Sequence, residues 1–169
     1  MRINVAQLLK EPVGSSRKYE TDESPGTDNV ESIKGKLALV RTNRGLIVRG
    51  KMTARVVGAC SRCLRPMVHQ VDYDFEEEAF PTIDICTGLP LSAEPESVTI
   101  DNNHTLDLTE MLVQYALLTM PIKPLCRPDC AGICPHCGTD LNYSTCECHS
   151  EPVDERWSKL TTLKKEESY

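Results

Sequence analysis

The chain has 169 residues, 40% of them hydrophobic and 26% charged, with a formal net charge of -6 and a pI near 5.3. That length suits one domain of about 100–150 residues with tails rather than two independent cores, and the acidic balance excludes a protein that coats nucleic acid with Lys and Arg over its whole surface. No stretch offers about 18 apolar residues in a row, and the opening "MRINVAQLLKEPVG" lacks the apolar run of a signal peptide, so a soluble cytoplasmic protein without a membrane role is expected.

In chain order, residues 14–32, "GSSRKYETDESPGTDNVES", are polar and bear Gly, Pro and Ser, which predicts a mobile connector closing an N-terminal segment of residues 1–32. A core domain is expected over 33–125. It opens with two β-type runs separated by "TNRG", where Asn43 and Gly45 offer the positive-φ tolerance of a hairpin turn. Alternation in the second run places Leu46, Val48, Met52, Ala54 and Val56 on a core face and Arg49, Lys51, Thr53 and Arg55 opposite.

A third run, "MVHQVDYDFEEEAF", sets Met67, His69, Val71, Tyr73 and Phe75 inward, with His69 read as a core residue. Pairing runs two and three through residues 60–63 puts Lys51 opposite Asp72 and Arg49 opposite Asp74. A short strand, "SVTID", precedes the main helix, "DLTEMLVQYALLTMP". There Asp107 and Glu110 resemble a capping box, Leu108, Met111, Leu112, Tyr115 and Leu118 form the apolar stripe, and Pro121 stops the helix. A cysteine module follows at 126–149, and a C-terminal helix is expected within 150–169, with Val153, Trp157, Leu160 and Leu163 at helical spacing. The fold class read from these elements is α+β, an antiparallel sheet with one main helix, a small zinc module and a C-terminal helix.

Charge is segregated. From Ser32 to Val71 the chain carries Lys34, Lys36, Arg41, Arg44, Arg49, Lys51, Arg55, Arg62 and Arg65 and no acid; from Asp72 to Ile122 it carries acids and no Lys or Arg. Two readings follow: cross-strand pairing on a solvated sheet face, and an RNA-facing edge made by the surplus cations Arg41, Arg44, Arg62 and Arg65 near the strand ends.

Nine cysteines in a reducing cytosol point to metal rather than to disulfides. Eight form close pairs: Cys60/Cys63, Cys126/Cys130, Cys134/Cys137 and Cys146/Cys148, with Cys86 left over. Structural zinc takes four ligands tetrahedrally, usually as two such pairs. "CPHCG" is the strongest element, because Gly138 can take the left-handed conformation that closes the turn. The preferred assignment gives two structural zinc ions, one on Cys134, Cys137, Cys146 and Cys148, the other on Cys60, Cys63, Cys126 and Cys130. A rival assignment puts Cys126, Cys130, Cys134 and Cys137 on one metal. His136 and His149 are the available substitutes for a thiolate.

A closed tetrathiolate leaves no position for a catalytic water. No P-loop, G-x-S-x-G, H-E-x-x-H or zinc-deaminase pattern occurs, and "CSRC" lies between strands rather than at the helix N-terminus a redox pair needs. No catalytic residue and no small-molecule substrate are expected.

The ordered series "CSRCL", "DLTEMLVQYALLTMPIKPLCRPDCAGICPHCGTDLN", "CEC" and "DERWSKL" resembles the YceD family of large ribosomal RNA subunit accumulation proteins. The resemblance implies a non-enzymatic bacterial ribosome-biogenesis factor, with a plastid branch in plants, whose presence supports accumulation of 23S ribosomal RNA. The implied partners are large-subunit rRNA or a pre-ribosomal particle, and rRNA-processing or ribosomal proteins. Some members of the family lack the later cysteines yet keep the upstream C-x-x-C, which implies that the site of Cys60, Cys63, Cys126 and Cys130 is the ancestral one. A zinc-stapled protein adaptor without RNA contact and a thiol redox or metal-responsive regulator are the alternatives.

Overall fold

The computed structural model describes residues 1–91 and 97–148. The expected C-terminal helix, with Trp157, and His149 lie outside the described residues. In chain order the elements are β1 (Arg2–Asn4), α1 (Ala6–Lys10), β2 (Ser16–Glu23), β3 (Val30–Arg41), β4 (Leu46–Ala59), β5 (Pro66–Pro81), β6 (Val98–Ile100), β7 (Thr105–Asp107) and α2 (Thr109–Leu118). They build one seven-stranded sheet in the order β1-β7-β6-β5-β4-β3-β2.

The expected α+β class is corrected. Sheet dominates, curled into a half-barrel with two short helices, and the sheet is mixed, because β5 and β6 run parallel with Ala79 opposite Val98. Three elements of the amino-terminal segment account for much of the difference. Residues 16–23, expected within a mobile connector, pair along their whole length with β3, from Ser16 opposite Val40 to Glu23 opposite Ile33. The strand is the sheet edge and carries charges along its length, as edge strands that resist further pairing do. β1 pairs with β7, and α1 buries Leu8 and Leu9.

The long hairpin β4–β5 is the spine. Leu46, Val48, Met52, Ala54 and Val56 are all buried, as alternation predicts, and Val71, Tyr73 and Phe75 face them from β5. His69, expected in the core, is only half-buried. Helix α2 lies over this face: Tyr115 stacks on Tyr73 with centroids 6.3 Å apart, and the Tyr73 hydroxyl donates to the Leu112 carbonyl at 2.9 Å. Burial pushes the Tyr73 phenol up to about 12, so it stays a donor at neutral pH.

The helix differs from its expected form at both ends. Asp107 belongs to β7, where it accepts from the Thr109 N–H at 3.0 Å and from Arg2 at 2.7 Å, while Glu110 bonds forward to Gln114, so no capping box forms. The Thr109 hydroxyl and N–H, together with Arg2, hold the Asp107 carboxyl well below its ordinary range. At the far end Leu118 is 81% exposed and outside the stripe.

The cross-strand register is also shifted by two. Arg49 faces Glu76, Lys51 faces Asp74 and Thr53 faces Asp72. Among the described residues no helix is long and apolar enough to cross a membrane.

Candidate metal centres

Two turns of one design hold the first and third cysteine pairs. Where β4 passes into β5, the Cys60 N–H donates to the Arg65 carbonyl at 2.9 Å and the Leu64 N–H to the Cys60 carbonyl at 2.9 Å. Leu64 takes φ 58, a left-handed conformation that a branched side chain rarely adopts. Downstream, the Cys134 N–H donates to the Thr139 carbonyl at 2.8 Å, the Gly138 N–H returns to the Cys134 carbonyl at 2.9 Å, and Gly138 has φ 73.

Such turns aim two sulfurs at one point. Sγ atoms of Cys60, Cys63, Cys126 and Cys130 lie within 4.8 Å of one another, as do those of Cys134, Cys137, Cys146 and Cys148. This grouping is the first of the two considered from the sequence, and His136 is in neither cluster.

The edges of the first cluster test its fit to a metal. Cys60 Sγ is 3.8 Å from Cys130 Sγ, and Cys63 Sγ is 3.7 Å from Cys126 Sγ. A tetrahedral metal bound to four thiolates at about 2.3 Å, as zinc is, sets sulfur–sulfur edges of about 3.8 Å, whereas a disulfide needs about 2.05 Å. All nine cysteines are free thiols, so the donor set fits metal.

The first cluster is the deeper. Cys60 and Cys130 are fully buried and, with Cys63, form a small apolar cluster with Met67, Leu125 and Ile133. The Ser61 N–H donates to the Pro124 carbonyl and the Ile133 N–H to the Arg62 carbonyl, so the hairpin tip and the chain leaving α2 are joined by backbone as well as by sulfur. The second cluster is shallower, with Cys134 buried and Cys137 and Cys148 exposed.

Titration within each cluster is split. Backbone N–H groups of Cys63, then of Arg62 and Cys126, hold Cys60 down at about 6, while loss of water and the neighbouring thiols push Cys126 up to about 12. Hydrogen bonds from Thr139 hold Cys137 at about 6; the bond to Cys137, with partial loss of water and the neighbouring Cys134, pushes Cys148 up to about 12. Four thiols this close cannot all ionise alone, and a bound dication removes that obstacle.

A third turn repeats the design without a cysteine pair, and it was not foreseen from the sequence. In residues 82–91 the Asp84 N–H donates to the Leu89 carbonyl at 2.8 Å and the Gly88 N–H to the Asp84 carbonyl at 2.8 Å, with Gly88 at φ 70. Asp84 stands where Cys134 stands and Thr87 where Cys137 stands. Asp84 Oδ1 accepts from the N–H groups of Cys86 and Thr87 and from the Thr87 hydroxyl at 2.9, 2.7 and 2.9 Å, closing the turn without an ion. The left-over Cys86 falls between the two ligand positions of this turn, and is exposed. The signal was the shared "I-x-x-x-x-G" frame of Ile83 to Gly88 and Ile133 to Gly138.

The four arginines proposed for an RNA edge stand in two pairs at opposite ends of β4. Arg41 and Arg44 precede that 14-residue strand and Arg62 and Arg65 follow it, a separation along the strand of about 45 Å at a rise of about 3.3 Å per residue. Arg41 donates to the carbonyls of Leu9 and Gly45 at 3.2 and 2.9 Å. Arg62 donates to the Cys130 carbonyl at 2.8 Å. Arg44 lies over Phe80 at 5.2 Å and pairs with Glu78 at 3.5 Å; Arg65 lies over Tyr143 at 4.8 Å and pairs with Asp140 at 3.1 Å. Lys34, Lys36, Arg49 and Arg55 pair in turn with Asp22, Glu20, Glu76 and Glu31.

A profile of the family described as large ribosomal RNA subunit accumulation protein YceD matches residues 48–164, from β4 through both cysteine clusters. Among curated proteins the chain is 31% identical over 171 residues to uncharacterized proteins of Mycobacterium tuberculosis and Mycobacterium bovis, covering 96% of this chain and 81% of theirs. An uncharacterized protein of Mycobacterium leprae is 28% identical over 128 residues, 75% of this chain and 57% of its own. No solved structure gives a significant match. A sheet ending in a C-x-x-C hairpin tip, clasped by the cysteines that follow the helix and matched over most of its length by one family profile, has one assignment: the chain belongs to the YceD family of large ribosomal RNA subunit accumulation proteins.

Proposed function

We propose that this protein is a non-enzymatic cytoplasmic factor supporting accumulation of large-subunit ribosomal RNA, and that two structural zinc ions hold its working end in shape. The observation that carries the reading is the pair of cysteine tetrads, each with its four sulfurs within 4.8 Å of one another; in the first, edges of 3.7 and 3.8 Å match four thiolates around zinc, a closed set that leaves no ligand position for water. Zinc bound there would supply structure, fixing the hairpin tip of β4–β5 to the segment after α2. The chain's own residues do the rest: the left-handed Leu64 and Gly138 aim the sulfurs, and Arg62 ties the two halves of the clasp together.

Sedimentation tests the reading. In a sucrose gradient of native lysate the protein should migrate with large-subunit precursors and leave those fractions after RNase treatment. Confinement to the top fractions in growing cells would count against it.

Two modes of contact are open to such a factor. Direct RNA contact assigns the task to Arg41, Arg44, Arg62 and Arg65. Arg41 and Arg62 are committed to backbone carbonyls, so Arg44 and Arg65 are the informative positions. Changing both to Glu should weaken binding to large-subunit precursor RNA roughly tenfold and flatten its salt dependence; unchanged affinity and slope would remove the RNA edge from the reading. Contact through a protein of the assembling subunit is favoured by the ion pairs of Lys34, Lys36, Arg49 and Arg55 with neighbouring carboxylates, which leave that sheet face electrostatically balanced.

A further inference from the structure

The loop that closes the second tetrad is bonded into the first. Between Cys137 and Cys146 the chain passes through Asn142, whose Nδ2 donates to Cys130 Sγ at 3.5 Å and to Asp140 Oδ1 at 2.6 Å. Its Oδ1 accepts from the Ala131 N–H and from Arg127 Nη2, both at 2.9 Å, and these residues flank Cys130. Asp140 turns its other oxygen to Arg65 at 3.1 Å, two residues past Cys63, and the Leu141 N–H donates to the Gly132 carbonyl at 2.9 Å. Cys130 is fully buried, so with Asn142 in place no solvent reaches the sulfur.

We propose that Asn142 is a positioning residue for the metal of the first tetrad, and that through it occupancy of the second tetrad tightens binding at the first. The inference rests on the zinc reading above. Four thiolates around one dication keep a charge of about -2, and an N–H directed at one sulfur disperses part of it and fixes the sulfur's direction. Removing such an outer partner costs about 10–100-fold in metal affinity. Residues 139–144 present that donor, and the ends of their loop are tied by Cys137 and Cys146. Emptying the second tetrad frees the loop, and the first loses its donor without losing a ligand.

The test uses the full chain loaded with zinc. Native mass spectrometry should find two zinc ions per chain. Chelator is then raised in steps, released thiols are trapped by alkylation, and peptides report the two tetrads separately. Asn142→Ala should move the release curve of Cys60, Cys63, Cys126 and Cys130 to about 10–100-fold lower chelator. Asn142→Asp, which keeps the shape but loses the donor, should move it at least as far. Removing the second site with Cys146→Ser and Cys148→Ser should produce a similar shift, and adding Asn142→Ala to that chain should add nothing. That non-additivity is what a merely structural asparagine would not give.

A wild-type chain with fewer than two zinc ions overturns the zinc reading and the coupling with it. Two ions with an Asn142→Ala curve lying on the wild-type curve overturns the coupling alone, as does a further shift in the triple variant.

Discussion

Replacing Cys130 with serine is expected to lower the zinc content from two ions per chain to one and to detach the segment after α2 from the hairpin tip. Cys130 is fully buried and sits 3.8 Å from Cys60, so a serine there loses a thiolate ligand and leaves a buried hydroxyl with a desolvation cost of about 1–3 kcal/mol. The larger loss is the metal, since structural zinc contributes about 10–16 kcal/mol to folding of small peptide sites. The sheet has its own core on β3, β4 and β5 and should survive. Limited proteolysis should therefore open residues 119–133 while amide protection in β4 and β5 persists, and chelation of the wild type, which empties both tetrads, should extend the opening to 148. Full protection of 119–148 in the metal-depleted chain would show that the clasp is not held by metal.

Gly45→Ala is expected to cost about 2–3 kcal/mol, in the upper range for a forced overlap in a packed site, measured by denaturant unfolding. The reason is not a left-handed backbone, as the "TNRG" sequence suggests. Gly45 is absent from the positive-φ residues of the chain, and its Thr42 contacts are ordinary turn bonds, its N–H donating to Thr42 Oγ1 at 2.9 Å and its carbonyl accepting from the Thr42 N–H at 3.0 Å. A Cβ on Gly45 would stand 2.2 Å from the Ala79 carbonyl oxygen, a backbone atom fixed by the β4–β5 ladder where Leu46 faces Ala79. The two causes separate experimentally. Asn tolerates positive φ, so Gly45→Asn would be mild if conformation were the constraint. It should be at least as damaging as Ala if the close approach is.

How far the fold could be read depended on how much of each element's signal was local. The alternation of β4 was legible because the inward Leu46, Val48, Met52, Ala54 and Val56 are apolar while Arg49, Lys51, Thr53 and Arg55 between them are polar or charged. Its register with β5 was not. A turn closing at Cys60 and Cys63 would place Arg49 opposite Asp74, but the bonded frame closes between Cys60 and Arg65, one residue beyond the left-handed Leu64, and moves every pair by two. β2 was missed because "SRKYETDE" has the composition of a loop, and only its place at a sheet edge makes that charge density sensible. α1 has five residues, too few for a helical period to declare itself. At the candidate site the four cysteine pairs were plain from spacing, yet the Asn142 bond to Cys130 and the Asp84 turn were not, because both depend on which backbone groups converge rather than on residue type.

A role in large-subunit ribosomal RNA accumulation is decided by the ratio of large- to small-subunit ribosomal RNA in cells from which this protein has been removed. The ratio should fall, and should be restored by the wild-type chain but not by one carrying Cys60→Ser and Cys130→Ser. A ratio that stays unchanged without the protein would rule that role out.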